Sequence, residues 1–179
     1  MSENKNVYAQ AKSQMRLSER IAAALPGFKG YKEKELRRES DKLVRNHLIL
    51  KLSLLKDSVR SVFQKITDQR CLAVLTDMDR LTAKFDRITE KINHAIYGYS
   101  GFFDIVKIKE ENLDCMITFD EKLIEYVNDL IVTVDAFKAQ LIAGDYSNLK
   151  NQIQIVTDKL EAFETVFNKR TEVIIGAIQ

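Results

Sequence analysis

Two histidines, His47 and His94, two cysteines, Cys71 and Cys115, and 26 acidic residues are the side chains with which this 179-residue chain could hold a metal or build a nucleophile. A di-iron centre in a helical bundle takes a Glu from each of two helices and a Glu-x-x-His pair from each of the others. Three positions before the two histidines stand Val44 and Lys91, so that pattern is missing. Glu90, four before His94, shares a helix face with it, but one such pair falls short of the ligand number a metal requires. Neither cysteine has a Cys or His at ligand or catalytic spacing, and the serines form no nucleophile elbow. Gly27-Phe28-Lys29-Gly30 and Gly98-Tyr99-Ser100-Gly101 lack the strand before and the Lys-Ser/Thr after that a phosphate loop uses. No catalytic residue, metal ligand or cofactor is predicted. The reading points away from an enzyme, although a site gathered from scattered residues leaves no linear trace.

Two segments suit recognition better than catalysis. Pro26 to Tyr31 and Tyr97 to Phe103 combine glycines with large aromatics, and the first of them contains Lys29 and is followed by Lys32, Lys34, Arg37 and Arg38. If the chain reverses between them, both come to one end of the molecule. The candidate partner surface is then Phe28, Lys29, Tyr31, Lys32, Arg37, Arg38, Tyr97, Tyr99, Phe102 and Phe103. Tyr and Arg are favoured interface residues, which suits a protein partner or an anionic membrane surface. The competing expectation is a plug of buried aromatics closing the bundle, with glycines permitting tight turns. Glu33, Glu35, Glu39 and Asp41 are interleaved with the basic residues and disfavour nucleic acid.

The elements that must position these residues are helices. One proline and 6 glycines in the whole chain leave few places to turn, so the secondary structure runs in long pieces. A hydrophobic share of 45% is enough for a substantial core, and the length fits one domain, 1–179. Lys+Arg 28 against Asp+Glu 26 gives no bulk electrostatic bias toward nucleic acid or membrane. The lone cysteines read as reduced thiols, and Met1 to Gln10 lacks the apolar core of a signal peptide. The most apolar stretches, Leu130 to Val134 and Val173 to Ile178, are far shorter than the roughly 20 residues that cross a bilayer. The expected setting is therefore the cytoplasm.

The expected fold is all-α, an antiparallel bundle of four long helices and a shorter N-terminal one, spanning about 6–24, 31–67, 69–96, 109–142 and 147–175. Leu48, Leu52, Leu55, Val59, Val62 and Ile66 recur in steps of four and three, the period of a coiled-coil seam. Val74, Met78, Leu81, Phe85, Ile88, Ile92 and Ala95 repeat the rhythm, but the register slips through Arg70. Either one helix carries a stutter or the chain folds back near Thr67-Asp68-Gln69, with Thr67 or Asp68 as the new N-cap. The reversal is the better reading, since a continuous helix would reach about 97 Å and outrun the rest of the domain. Tyr97 to Asp104 is expected to be an aromatic loop and Ile105 to Ile108 an extended connector. Glu110 and Glu111 suit a first helical turn. The apolar Val173 to Ile178 is expected to cover a bundle end or a neighbouring subunit.

Two further seams follow, from Leu113 to Leu141 and from Leu149 to Ile174, and each is interrupted once. Asp120 falls between Met116 and Leu123, and Arg170 between Phe167 and Ile174. A hairpin turning at Gly144-Asp145 sets Leu141 against Leu149, Phe137 against Ile153, Val127 against Phe163 and Leu123 against Phe167. Asp120 then faces Arg170. The two are predicted to form a buried structural ion pair that fixes register, with the guanidinium fork donating to the carboxylate.

The segment Pro26-Gly27-Phe28-Lys29-Gly30-Tyr31-Lys32-Glu33-Lys34-Glu35, with Arg37 to Lys42 and Tyr97 to Asp104, resembles a pattern of uncharacterised prokaryotic helical-bundle proteins. The resemblance covers about a fifth of the chain and implies no activity. In outline, long helical hairpins also look like the membrane-remodelling coat proteins of the phage-shock and ESCRT-III type. The first helix has too thin an apolar face to insert in a membrane. The expected function is a non-enzymatic interaction or scaffold module that associates with another protein or with its own copies. Peripheral membrane binding through the basic and aromatic end is the alternative, and an enzyme or ligand-binding bundle without a linear motif is the third reading.

Overall fold

The computed structural model describes residues 17–28, 34–99 and 110–176, and all regular structure among them is helical. In chain order the elements are α1 (Leu17–Ala24), α2 (Lys34–Asp68), a single 3-10 turn (Leu72–Val74), α3 (Leu75–Tyr99), α4 (Glu110–Ile142) and α5 (Leu149–Gly176). The seams explain why these helices form and what they bury. Apart from Ala95, every described apolar residue of the four seams is at most 7% exposed, with Phe85 and Phe163 fully enclosed.

The chain does reverse between α2 and α3, and the stop is built by backbone geometry. Arg70 adopts φ 57°. Its N–H donates to Thr67 O (2.9 Å), and the Cys71 N–H reaches Ile66 O (3.1 Å), which together make a Schellman stop. Neither Thr67 nor Asp68 caps the next helix, contrary to expectation. Both still belong to α2, where Thr67 Oγ1 donates to Phe63 O and Asp68 accepts from Gln64. The 3-10 turn then delays α3 to Leu75, six residues later than the spacing predicted.

α4 ends in the same way with the residue better suited to it. Gly144 has φ 80°, its N–H donates to Leu141 O, and the Asp145 N–H donates to Gln140 O. The Asp145 carboxylate next accepts the Ser147 N–H at 2.8 Å, and hydrogen bonds from Ser147 hold its carboxyl below the usual range. This turn moves the start of α5 from the expected 147 to Leu149. Arg70 carries at its own stop the left-handed penalty that Gly144 avoids. Arg70→Gly is expected to stabilise the protein by roughly 0.5–1 kcal/mol, the strain relieved less the added freedom of the unfolded glycine, read as a higher urea midpoint at constant m.

The helices form two antiparallel hairpins, α2–α3 and α4–α5, laid side by side. α2 packs on α3 and α4, α5 packs on α4 and α3, and α1 lies on α4. Lys84 meets Glu161 and Arg87 meets Glu164, so numbering rises together on α3 and α5 and these two helices run parallel. Arg170 bonds both Asp41 and Asp120, which brings the early turns of α2 and α4 together and makes them parallel too. The starts of α2 and α4 and the ends of α3 and α5 therefore share one end of the bundle. The two closed turns share the other.

Candidate functional site

Among the described residues, the charged side chains buried in the core gather at the end shared by the helix starts. Asp120 is fully buried and Arg170 is 2% exposed. Arg170 Nε donates to Asp120 Oδ1 at 2.5 Å and Nη2 to Asp120 Oδ2 at 3.4 Å. The same Nη2 donates to Asp41 Oδ1 at 2.7 Å, and Asp41 Oδ2 pairs with Arg45 Nη1 at 2.5 Å. Four charges from three helices thus form one chain, Arg45–Asp41–Arg170–Asp120, with two acids balancing two bases. Such a set persists in a dry core only when its members satisfy one another, since removing ions from water costs several kcal/mol each. The planar guanidinium of Arg170 reaches two carboxylates on different helices, which an ammonium could not do with the same fixed geometry.

Sequence reasoning missed Asp41 and Arg45, although the signal was present. The four-three rhythm of α2, carried back from Leu48, steps by three to Arg45 and by four to Asp41. Both are seam positions filled by charge.

The predicted partner surface is divided by the structure. Phe28 is 7% exposed and belongs to the core with Ile21 and Leu25, so it is a packing residue and drops out of the docking surface. Its burial follows from the turn before it, where Gly27 at φ 92° brings the chain close to Leu43. Tyr97 and Tyr99 lie in the last turn of α3, because Gly98 is accommodated inside the helix and the expected loop does not begin at Tyr97. Arg37 and Arg38 lie in the first turns of α2, where the backbone alone is described. Lys29, Tyr31, Lys32, Phe102 and Phe103 lie outside the described residues, as do the connector 105–108 and residues 6–16 of the expected first helix.

Elsewhere the polar features are those of a bundle rim. Glu164 accepts two hydrogen bonds from the Arg87 fork, at 2.6 and 2.7 Å, and one from Lys91 at 3.1 Å. The Arg87 bonds, opposed by partial burial and aided by Lys91, hold the Glu164 carboxyl down at about 2. A carboxylate whose pKa is lower folded than unfolded stabilises above its unfolded value of 4.5 and loses that contribution as pH falls through about 2. Arg87 and Lys91 are about half exposed, so the expected contribution is only about 1 kcal/mol. Glu164→Gln should lower stability by that amount at pH 7, with the gap to wild type closing near pH 2 in urea titrations.

His94 pairs with Glu90 at 3.4 Å on an exposed face, and half-buried His47 has its pKa lowered by burial and then by Lys51. Among the described residues no three His, Cys, Asp or Glu side chains are gathered to hold a metal, and no helix is long and apolar enough to cross a membrane. A shallow groove of about 470 Å³ between α4 and α5 is floored by Phe119, Tyr126 and Val166 and edged by Lys122, Glu125 and Lys169. Apolar side chains also reach solvent on the outer face of α2. Leu50 and Leu54, one turn apart, are 58% and 55% exposed. Compared with protein-family models, with curated proteins and with solved structures, the chain matches none.

Proposed function

We propose that this chain is a non-enzymatic protein–protein interaction or scaffold module whose working surface is the outside of a long, rigid bundle. The observation that carries this reading is the leucine face of α2. Leu50 and Leu54 stand on the side away from the buried seam, in line with half-buried Leu43 and His47 at helical spacing. A leucine in the seam is accounted for by the core, whereas a pair of adjacent leucines left in water suits burial by another helix. The setting in this reading is the cytoplasm, in keeping with the free thiol of Cys71.

The test is the paired change Leu50→Lys with Leu54→Lys. Both sites are exposed, so the variant should keep the wild-type melting temperature. Light scattering over a concentration series, and chemical cross-linking in cells followed by mass analysis, should show a self-associated or partner-bound species for the wild type that the variant loses. A wild type that stays monomeric and uncross-linked would end this reading. Sedimentation with anionic vesicles at low salt tests the alternative of membrane association through the basic end.

A further inference from the structure

We infer that the buried chain of charges sets the register between the two hairpins, acting as a lock that admits one of several docked arrangements that the apolar seams alone would accept. Each hairpin has its internal register set locally by its own turn, Arg70 with the 3-10 turn in one and Gly144 with Asp145 in the other. The hairpins are joined through residues 100–109, which lie outside the described residues, and their facing seams repeat every seven residues. Sliding one hairpin along the other by one heptad, about 10.5 Å, returns leucine, valine and phenylalanine to positions of the same kind.

The rim charges discriminate poorly against that slide. One heptad in one direction moves Glu161 from Lys84 to the level of Lys91. In the other it moves Glu164 from Arg87 to the level of Arg80. Exposed, flexible pairs of this kind re-form with a small change in free energy. The Asp41–Arg170 bond has no such substitute. A one-heptad slide sets Asp41 against an apolar seam residue and breaks its bond to Arg170, although Asp41 keeps Arg45 on its own helix and Arg170 keeps Asp120 within its own hairpin. A buried hydrogen bond between charged groups is worth about 1.5–3 kcal/mol, a bias of roughly tenfold or more against the slipped state. The Asp41–Arg170 bond is a buried polar contact between the hairpins, with both side chains at most 3% exposed.

The test separates the two registers. In a Cys71→Ser, Cys115→Ser background, spin labels at exposed Asn46 on α2 and Ala139 on α4 report the hairpin-to-hairpin offset. A second label pair at exposed Asp129 and Lys150 reports the α4–α5 offset. Changing Asp41→Leu with Arg45→Leu removes the crossing bond and leaves Asp120 and Arg170 as a neutral pair within one hairpin. The expected result is a split distance distribution for the first label pair, with components differing by about 10 Å, and an unchanged single distribution for the second. A single wild-type distance for the first pair in the folded variant overturns the inference. Should that variant fold poorly, the fully apolar set Asp41→Leu, Arg45→Met, Asp120→Leu and Arg170→Met gives the same reading. There too a single wild-type distance would sink the idea.

Discussion

Arg170→Met is expected to cost about 3–5 kcal/mol of folding stability, an effect out of proportion to the size of the change. The methionine fills much of the volume, so the loss is electrostatic. Asp120, fully buried, loses its Arg170 partner, and Asp41 keeps only Arg45. Urea unfolding followed by circular dichroism should show the midpoint falling with little change in m. The sharper comparison is with the variant in which all four charged residues become apolar. That protein should recover most or all of the lost stability, because the desolvation of four ions disappears with the bonds that compensated it. Non-additivity of several kcal/mol between the single and fourfold variants is the signature of one coupled network. If Arg170→Met cost less than about 1 kcal/mol, water would have to reach the site and the burial argument would fail.

Phe163→Ala is the second large effect, expected at about 3–5 kcal/mol by a different route. Phe163 is fully enclosed in α5, within the hydrophobic core that the long helices share, so the space left by the ring cannot collapse easily. Here a large-to-small series is diagnostic. Phe163→Leu should cost less than half as much as the alanine change, whereas the Arg170 site should answer to charge and not to volume. Thermal melts of the two series side by side would check it, and equal losses for Leu and Ala at position 163 would contradict a packed site.

Those two sites also show what was legible in the sequence. The seams read out because burial on a helix imposes a four-three spacing that few surface patterns mimic, so Phe85, Phe163 and their neighbours are recognisable as core from their positions along the chain. Asp120 stood out as a polar residue with apolar seam positions on both sides. Asp41 and Arg45 did not, because they sit where the α2 seam gives way to charge and no apolar residue beyond them marks the line as continuing. The reversal after α2 was visible as a register slip, but its chemistry was hidden. An arginine in left-handed backbone carries none of the signal that a glycine does, whereas Gly144 marked its turn plainly. Gly98 misled in the opposite direction, since a helix end can absorb a glycine at modest cost. Leu50 and Leu54 were unreadable as a surface because composition alone cannot distinguish an exposed leucine from a buried one.

Asp41 and Arg170 are 129 positions apart along the chain, and their bond needs both hairpins in place before it can close. Each hairpin, by contrast, is assembled from contacts between neighbouring helices joined by a short turn. Closing the longest loop is the slow event, and a contact made only after it contributes nothing to the speed of assembly. The central bond of the charge lock therefore belongs to the lifetime of the folded state. Its loss leaves the rate of folding largely as it was and shortens the time the two hairpins stay together once they have met.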